Sequence, residues 1–342
     1  MGRKNQIPIA LILIVILSSV SLSGCFDESE RSEWAYEKTQ IKAMNDAGYK
    51  GKGVTIGIVD TGVNLDHPDL RSMNVVAWID YVNDNPEPYD DGGHGTHVAG
   101  IMAADGEMSG AAPDADYVVA KALSGDGDGD DGTVADAIDW CVDQGADVIC
   151  LSLGGPAILP RLGEESGLAA RDAINQGVVV VSAAGNDEED PNDGSDVQRP
   201  ANVDQVIAVG AVDEDLKIAR FSESGDNDGI TPLPFDDRQD PDKKPEVVAP
   251  GVEIRSTYLG DTYAIMSGTS QATPFVASGI ALVLEANPQY KRDGSSGGNS
   301  NAVETIKEAV MRGAYATQWQ DTPHDDRYGY GLFRAAETSA NL

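Results

Sequence analysis

The chain has 342 residues, of which 24 are lysine or arginine and 57 are aspartate or glutamate, so its formal net charge is −33 at pH 7. Hydrophobic residues make up 41% of the chain, which is enough for a folded core and argues against a disordered protein. The charge also argues against a nucleic-acid partner, because a phosphate backbone is bound by a clustered cationic surface.

The N-terminus has the pattern of an export signal. Two basic residues precede an apolar run over residues 7–20, which is shorter than the roughly 20 residues of a membrane-spanning helix. The run leads into Leu-Ser-Gly-Cys at residues 22–25, which resembles the prokaryotic lipobox, where the cysteine becomes lipid-modified. We therefore predict a lipoprotein signal peptide over residues 1–25 with the lipid on Cys25; an uncleaved signal anchor is the alternative.

The rest of the chain alternates short apolar runs with helical patterns. We predict a polar spacer with one short helix over residues 26–50 and a single folded domain over residues 51–342. The alternation indicates an α/β fold, a doubly wound and mostly parallel sheet flanked by helices. Predicted strands cover residues 54–59, 74–82, 116–121, 146–152, 177–181 and 206–212; predicted helices cover residues 96–104, 133–144, 167–176, 274–286 and 302–311.

Three short motifs place an acid, an imidazole and a hydroxyl in chain order. Asp60 ends the first predicted strand in Asp-Thr-Gly, where a dinucleotide-binding fold would have its glycine-rich turn. His94 opens a helix in Gly-His-Gly-Thr-His, and Ser270 lies in Gly-Thr-Ser, before a helix whose first turn suits Pro274. The order Asp, His, Ser is that of subtilisin.

The chain resembles the subtilisin-like serine proteases, or subtilases, from about residue 51 to residue 284. Ser-Leu-Gly at residues 152–154, Ala-Gly-Asn at 184–186 and Val-Ala-Pro-Gly at 248–251 also match landmarks of that family. The resemblance implies a subtilisin-like fold and a serine endopeptidase that cleaves proteins or peptides without a cofactor for catalysis. We expect a monomer.

The resemblance assigns roles to these residues. Ser270 is the nucleophile, because a hydroxyl attacks only when a base within hydrogen-bond reach removes its proton. His94 is that base, and Asp60 holds its tautomer. The Asn186 amide and the Ser270 N–H donate to the oxyanion. The strand edge that pairs with an extended substrate comprises Ser152, Leu153 and Gly154.

Two uses of the acidic residues follow from the resemblance. Asp69 matches a family calcium ligand, but the companion loop at residues 103–110 is short, so structural calcium stays open. The carboxylates at residues 187–189, together with the acidic loop at 124–132, would favour lysine or arginine in the substrate; a generally acidic surface is the alternative.

The remaining candidates have structural interpretations. His97 follows His94 by one helical turn but lacks the glutamate and third ligand of a zinc site, and we expect His67 and His324 to be structural as well. Cys141 and Cys150 are either a disulfide or two buried thiols.

Three further expectations concern oxidation, salt and location. Gln271 stands where the family commonly has methionine, which predicts resistance to peroxide. The scarcity of lysine and excess of aspartate resemble proteins of salt-loving microbes; an acidic exported protein is the alternative. With the lipid on Cys25, we expect the protein on the outer face of the cytoplasmic membrane, or released outside the cell.

Two other functions are compatible with parts of the sequence. An aspartic protease needs two carboxylates that share a proton, and no second Asp-Thr-Gly or Asp-Ser-Gly occurs in the sequence. A catalytically inactive subtilase that serves as a surface binding module has no direct support, since every catalytic position is filled.

Overall fold

Seven parallel strands form the central sheet. The computed structural model describes residues 32–155, 164–186, 196–225, 227 and 238–342, so the signal peptide, Cys25 and residues 187–189 lie outside the described part. The strands are β1 (Thr55–Asp60), β2 (Asn74–Asp80), β3 (Asp116–Lys121), β4 (Val148–Leu151), β5 (Val179–Ala183), β6 (Ile207–Val212) and β7 (Val247–Pro250). Their order across the sheet is β2-β3-β1-β4-β5-β6-β7.

Helices cover both faces of this sheet, and the predicted fold class is confirmed. All residues of β4, β5, β6 and β7 are buried, as the absence of polar alternation in residues 178–181 predicts. The helices are α1 (Glu33–Lys38), α2 (Ile41–Asp46), α3 (His94–Ala103), α4 (Asp131–Asp143), α5 (Glu165–Asn175), α6 (Thr269–Ala286), α7 (Ser300–Gly313) and α8 (Ala335–Ala340). Helices α4 and α5 pack together, as do α3 and α6.

The helix after the nucleophile motif begins earlier than predicted. We expected its first turn near Pro274, but α6 begins at Thr269 and contains both Ser270 and the proline. Proline has no N–H, so the carbonyl four residues before it, that of Ser270, loses its usual helical donor. The hydroxyl of Ser152 donates to that carbonyl instead, at 2.9 Å. The proline therefore leaves a bonding position that ties α6 to the end of β4.

The sequence did not predict three short strands. They are β7 and the antiparallel hairpin of β8 (Ile254–Thr257) and β9 (Tyr263–Met266), each strand four residues long. Such runs are too short for periodicity to separate a strand from a loop. The landmark Val-Ala-Pro-Gly at residues 248–251 overlaps β7, and Pro250 ends this last strand of the sheet.

Residues before β1 form two helices, not the single one predicted, and both join the main core. Ala35 and Ile41 are fully buried in the cluster that also contains the sheet. The Tyr36 ring packs edge-on against Phe275 of α6, with ring centroids 5.0 Å apart. The backbone N–H of Arg255 on β8 donates to the Ser32 hydroxyl at 2.8 Å. This N-terminal stretch is thus fastened to α6 and to the hairpin.

In the part of the chain that the structure describes, no helix combines the length and apolar character needed to cross a bilayer.

Candidate active site

Asp60 and His94 form a buried pair at the carboxyl end of β1. Asp60 is the last residue of the strand and fully buried, and His94 is the first residue of α3. His94 Nδ1 donates to Asp60 Oδ1 at 2.7 Å, and the backbone N–H of Thr61 donates to the same oxygen at 2.7 Å. This bond places the proton of a neutral imidazole on Nδ1 and leaves Nε2 as an acceptor.

The sharp entry into α3 requires glycine before the histidine. Gly93 has φ of 85°, in the left-handed region, and a Cβ added there would lie 2.4 Å from the ring of Tyr258. Only glycine meets both conditions without strain. The glycine in the motif therefore permits the close approach of the β8–β9 turn to His94.

Burial and neighbouring carboxylates act in opposite directions on His94. Burial lowers the pKa of the imidazole, but the charge and hydrogen bond of Asp60 and the charge of Asp90 raise it more strongly. The net result is a pKa above the ordinary value of 6.5. The imidazolium is therefore stabilised at the position where a base would receive a proton.

Ser270 lies in the first turn of α6 and exchanges two hydrogen bonds with Ser152. The Ser270 hydroxyl donates to the Ser152 carbonyl oxygen and the Ser152 hydroxyl donates to the Ser270 carbonyl oxygen, both at 2.9 Å. Ser152 follows β4, which is the neighbour of β1 in the sheet. Neighbouring strands lie about 4.8 Å apart. The Ser152–Ser270 pair and the Asp60–His94 pair thus occupy adjacent strand ends, with α3 packed against α6.

Asn186 follows β5 and is oriented by Thr269. The Asn186 Oδ1 accepts the backbone N–H of Thr269 at 2.8 Å and its hydroxyl at 3.1 Å. Because the carbonyl end of the amide faces these donors, its NH₂ group faces away from them. A Cβ added at Gly268 would lie 3.6 Å from Asn186 Nδ2, so this donor lies beside the residues leading to the serine.

The residues expected to pair with substrate continue β4. Ser152, Leu153 and Gly154 are all buried. The next residue, Gly155, forms an antiparallel bridge with Arg199 through bonds of 3.2 and 3.0 Å. The backbone at Gly155, directly after the residues expected to pair with substrate, is therefore already hydrogen-bonded to the protein on one side.

Sequence motifs did not identify Lys121, whose ammonium group binds the backbone next to Asp60. Its buried ammonium donates to the carbonyl oxygens of Thr61 at 2.6 Å and Leu123 at 2.9 Å, and to Asp91 Oδ1 at 2.7 Å. Lys121 lies opposite Asp60 in the register of β1 and β3. A lysine that ends an otherwise apolar predicted strand is the signal that could have identified it.

The surroundings of Asp69 do not fit calcium. Its Oδ1 accepts the backbone N–H of Glu107 and its Oδ2 accepts that of Met108, both at 2.9 Å. The hydroxyl of Tyr263 also donates to Oδ2, at 2.9 Å. These three donors occupy most of the roughly four lone-pair sites of the carboxylate, which leaves little capacity to bind calcium. Across the described ranges, no group of three or more His, Cys, Asp or Glu side chains is placed to hold a metal ion.

The other candidates have structural surroundings. His97 is buried, its Nε2 lies 3.1 Å from the carbonyl oxygens of Ile254 and Ala264, and burial lowers its pKa to about 3. Cys141 and Cys150 are buried free thiols, and burial raises the pKa of the Cys150 thiol to about 12. They therefore do not form the disulfide that the sequence left open.

Comparison with known proteins adds an independent observation. A model of the "Subtilase family" matches residues 51–331. Subtilisin BL of Lederbergia lenta is 36% identical over 260 residues, covering 75% of this chain and 86% of the relative. Subtilisin DY of Bacillus licheniformis is 38% identical over 244 residues, covering 70% and 80%. An intracellular serine protease of Paenibacillus polymyxa is 35% identical over 252 residues, covering 71% of each chain.

Proposed function

Because the chain belongs to the subtilase family and is a subtilisin-like serine endopeptidase, we propose that Asp60, His94 and Ser270 are its catalytic triad. The observation that carries this proposal is the buried 2.7 Å bond from His94 Nδ1 to Asp60 at a strand end adjacent to the one that holds Ser270. It supports an imidazole oriented with Nε2 free to act as a base, and the serine hydroxyl is held at the neighbouring strand end.

The Ser270 hydroxyl must turn from the Ser152 carbonyl to His94 Nε2 before it can react. This is a rotation about one side-chain bond between staggered rotamers. Catalytic hydrogen bonds are often loose before substrate binds and form in the substrate complex. We infer that the bond to Ser152 is the resting partner of the nucleophile.

The chemistry then proceeds in two half-reactions. Ser270 Oγ attacks the scissile carbonyl carbon while His94 Nε2 takes the hydroxyl proton, and the former carbonyl oxygen becomes an oxyanion. The imidazolium gives that proton to the leaving amine, and the acyl group stays on Ser270 as an ester. A water molecule, deprotonated by His94 Nε2, then attacks the ester carbonyl carbon. The bond to Ser270 Oγ breaks, the imidazolium returns its proton to Oγ, and the acid is released. Asp60 keeps the imidazole proton on Nδ1 throughout.

We assign the Asn186 NH₂ group and the Ser270 backbone N–H as donors to the oxyanion. Thr269 supports this assignment, because its two donors fix the direction of the Asn186 amide. A preorganised donor of this kind contributes about 3–4 kcal/mol to the transition state. Substrate would add as a strand along Ser152, Leu153 and Gly154.

Replacing the nucleophile tests the assignment. Ser270→Ala should lose casein cleavage, whereas the matched control Ser267→Ala, three residues earlier, should keep it. A serine-directed phosphonate should inactivate the parent protein, and a statine inhibitor of aspartic proteases should not. Equal cleavage by the parent and Ser270→Ala would reject the triad, and no cleavage by either would favour an inactive binding module.

We also propose that the protein is a lipoprotein held at the cell surface by a lipid on Cys25, with residues 1–25 as the lipoprotein signal segment, cleaved before Cys25, and residues 51–342 as the peptidase domain. The lipobox pattern and the export signal support this, and Cys25 itself lies outside the described residues. Mass spectrometry of protein purified from membranes should show a diacylglycerol adduct on a chain that begins at Cys25. An unmodified Met1 would overturn the proposal.

Substrate preference follows from the acidic loops in this proposal. Carboxylates at residues 187–189, which lie outside the described part, would favour lysine or arginine before the cut by charge complementarity. Cleavage of a peptide library should be fastest after basic residues and should lose that preference at high salt. Equal cleavage after neutral and basic residues would contradict it.

A further inference from the structure

Asp90, a carboxylate outside the proposed triad, contacts the segments that carry both Asp60 and His94. It lies in the loop between β2 and α3. Its Oδ1 accepts the Thr61 hydroxyl at 2.9 Å and the backbone N–H groups of Gly92 and Gly93 at 2.9 and 2.8 Å. One oxygen therefore joins the residue after Asp60 to the two residues before His94.

The second oxygen of Asp90 holds the first turn of α3. Asp90 Oδ2 accepts the backbone N–H of Thr96 at 2.9 Å and its hydroxyl at 2.6 Å. The backbone N–H of Gly95 donates to the Thr61 hydroxyl at 2.9 Å, which completes the link. Five donors on Asp90 thus fix both sides of His94 relative to β1.

The charge of Asp90 also acts on the imidazole. Burial would raise the pKa of Asp90, but hydrogen bonds from Thr96, Gly93 and Gly92 outweigh it and lower that pKa, so the group is ionised at neutral pH. Its charge is among the causes that raise the pKa of His94. An anion beside the imidazole favours the imidazolium.

The other groups around His94 complete the local electrostatics. Asp60 on β1 carries the second negative charge that raises the pKa of His94. His97, on the same helix, is kept neutral by burial. On β3, the ammonium of Lys121 is paired with Asp91. The charged residue of α6, Glu285, lies at the far end of that helix and accepts backbone N–H groups of residues 50–52.

We propose that Asp90 is a positioning residue of the active site, which holds the loop and helix turn that carry His94 and favours the imidazolium formed when Ser270 attacks. This inference rests on the proposed function. The two carboxylates then have different roles. Asp60 binds the imidazole of His94 directly, whereas Asp90 acts through the backbone on either side of His94.

The test compares Asp90→Asn with a matched control at the end of β2, Asp80→Asn, whose carboxylate holds the start of the same loop. Asp80→Asn removes a carboxylate that likewise accepts loop donors, from Val82 N–H at 2.8 Å and the Tyr89 hydroxyl at 3.0 Å, but whose charge is not among those acting on His94. The pH profile of kcat/KM is measured from pH 5 to 9 on one peptide, because its acid limb reports the base of the free enzyme.

Loss of the Asp90 charge makes His94 easier to deprotonate, so the acid limb of Asp90→Asn should move to lower pH by roughly 0.5 unit. Its kcat should fall on the order of 10-fold, with KM little changed, because the base is less well positioned. Asp80→Asn should keep the parental limb even if it unfolds at a lower temperature.

A folded Asp90→Asn with the parental acid limb would overturn the inference. Should that variant fail to fold by circular dichroism, Asp90→Glu replaces it, since it keeps the charge but displaces the oxygens. Asp90→Glu should keep the limb and lose kcat, and a parental kcat there would equally reject the inference. Ser270→Ala, measured in parallel, isolates the proposed function: its inactivity with an unmoved Asp90→Asn limb rejects only the role of Asp90.

Discussion

At the scale of single residues, sequence motifs identified the residues of the proposed triad but not the residues that orient the groups of the site. Asp60, His94 and Ser270 stand in motifs that can be read locally. Thr269 and Lys121 act through hydrogen bonds to residues far away in the chain, at Asn186 and Thr61. Such bonds depend on which strand ends are adjacent, and local sequence does not encode that. The missed residues are therefore those whose partners the fold supplies.

The orientation of Asn186 leads to a prediction about catalysis. Asn186→Ala should lower kcat by about 10²–10³-fold with KM nearly unchanged, because it removes a donor used in the transition state. Thr269→Val removes one of the two groups that orient the amide and keeps the backbone donor, so its loss should be smaller. Steady-state kinetics on one peptide measures both. A larger effect of Thr269→Val would contradict the assignment.

Gln271 leads to a second prediction at this scale. The side chain follows the nucleophile directly and is 2% exposed, and it has no sulfur to oxidise. Activity should survive incubation with hydrogen peroxide, whereas Gln271→Met should lose it progressively as the thioether becomes a sulfoxide. Residual activity after timed exposure measures this. Equal inactivation of both proteins would place the sensitive group elsewhere.

At the scale of elements, the sequence predicted the long strands and helices well and the short ones poorly. The apolar runs at β1, β3 and β6 were sufficient to predict a parallel sheet, because parallel strands that are buried on both sides have no polar face. The hairpin β8–β9 was missed, since β8 is only four residues long and contains one apolar residue, Ile254, so it has no alternating pattern. The sequence misplaces the start of α6 because proline favours the first turn of a helix. In the structure the Ser152 hydroxyl satisfies the carbonyl that Pro274 leaves free, so the helix begins earlier.

Asp69 ties two elements together and carries a third prediction. It joins β9, through Tyr263, to the turn after α3, through Glu107 and Met108. Asp69→Asn should lower the free energy of unfolding by about 2–4 kcal/mol, because it leaves buried donors without an acceptor. Thermal unfolding of inhibited protein should show the same penalty in EDTA and in calcium. If EDTA destabilised the parent protein but not the variant, calcium would bind at Asp69 after all.

At the scale of the whole molecule, the net charge of −33 sets the dependence on salt. Mutual repulsion of the surface carboxylates favours the expanded chain. Salt screens this repulsion, and the screening length falls to about 3 Å at 1 M. The unfolding temperature of the inhibited protein should therefore rise between 0.1 and 2 M potassium chloride. Subtilisin BL, measured in parallel, provides a reference for the general effect of the salt. A flat or falling curve would show that repulsion is not a main cost.

The bond between Ser32 and Arg255 has a consequence for reach. Six residues lie between Cys25 and Ser32, and the seven Cα–Cα steps that join the two span at most about 25 Å when fully extended. With acyl chains on Cys25, the folded domain would stay within about 25 Å of the lipid headgroups. The side of the domain that bears β8 would face the membrane. Such an enzyme would cleave polypeptides at the membrane surface and not substrates far out in solution.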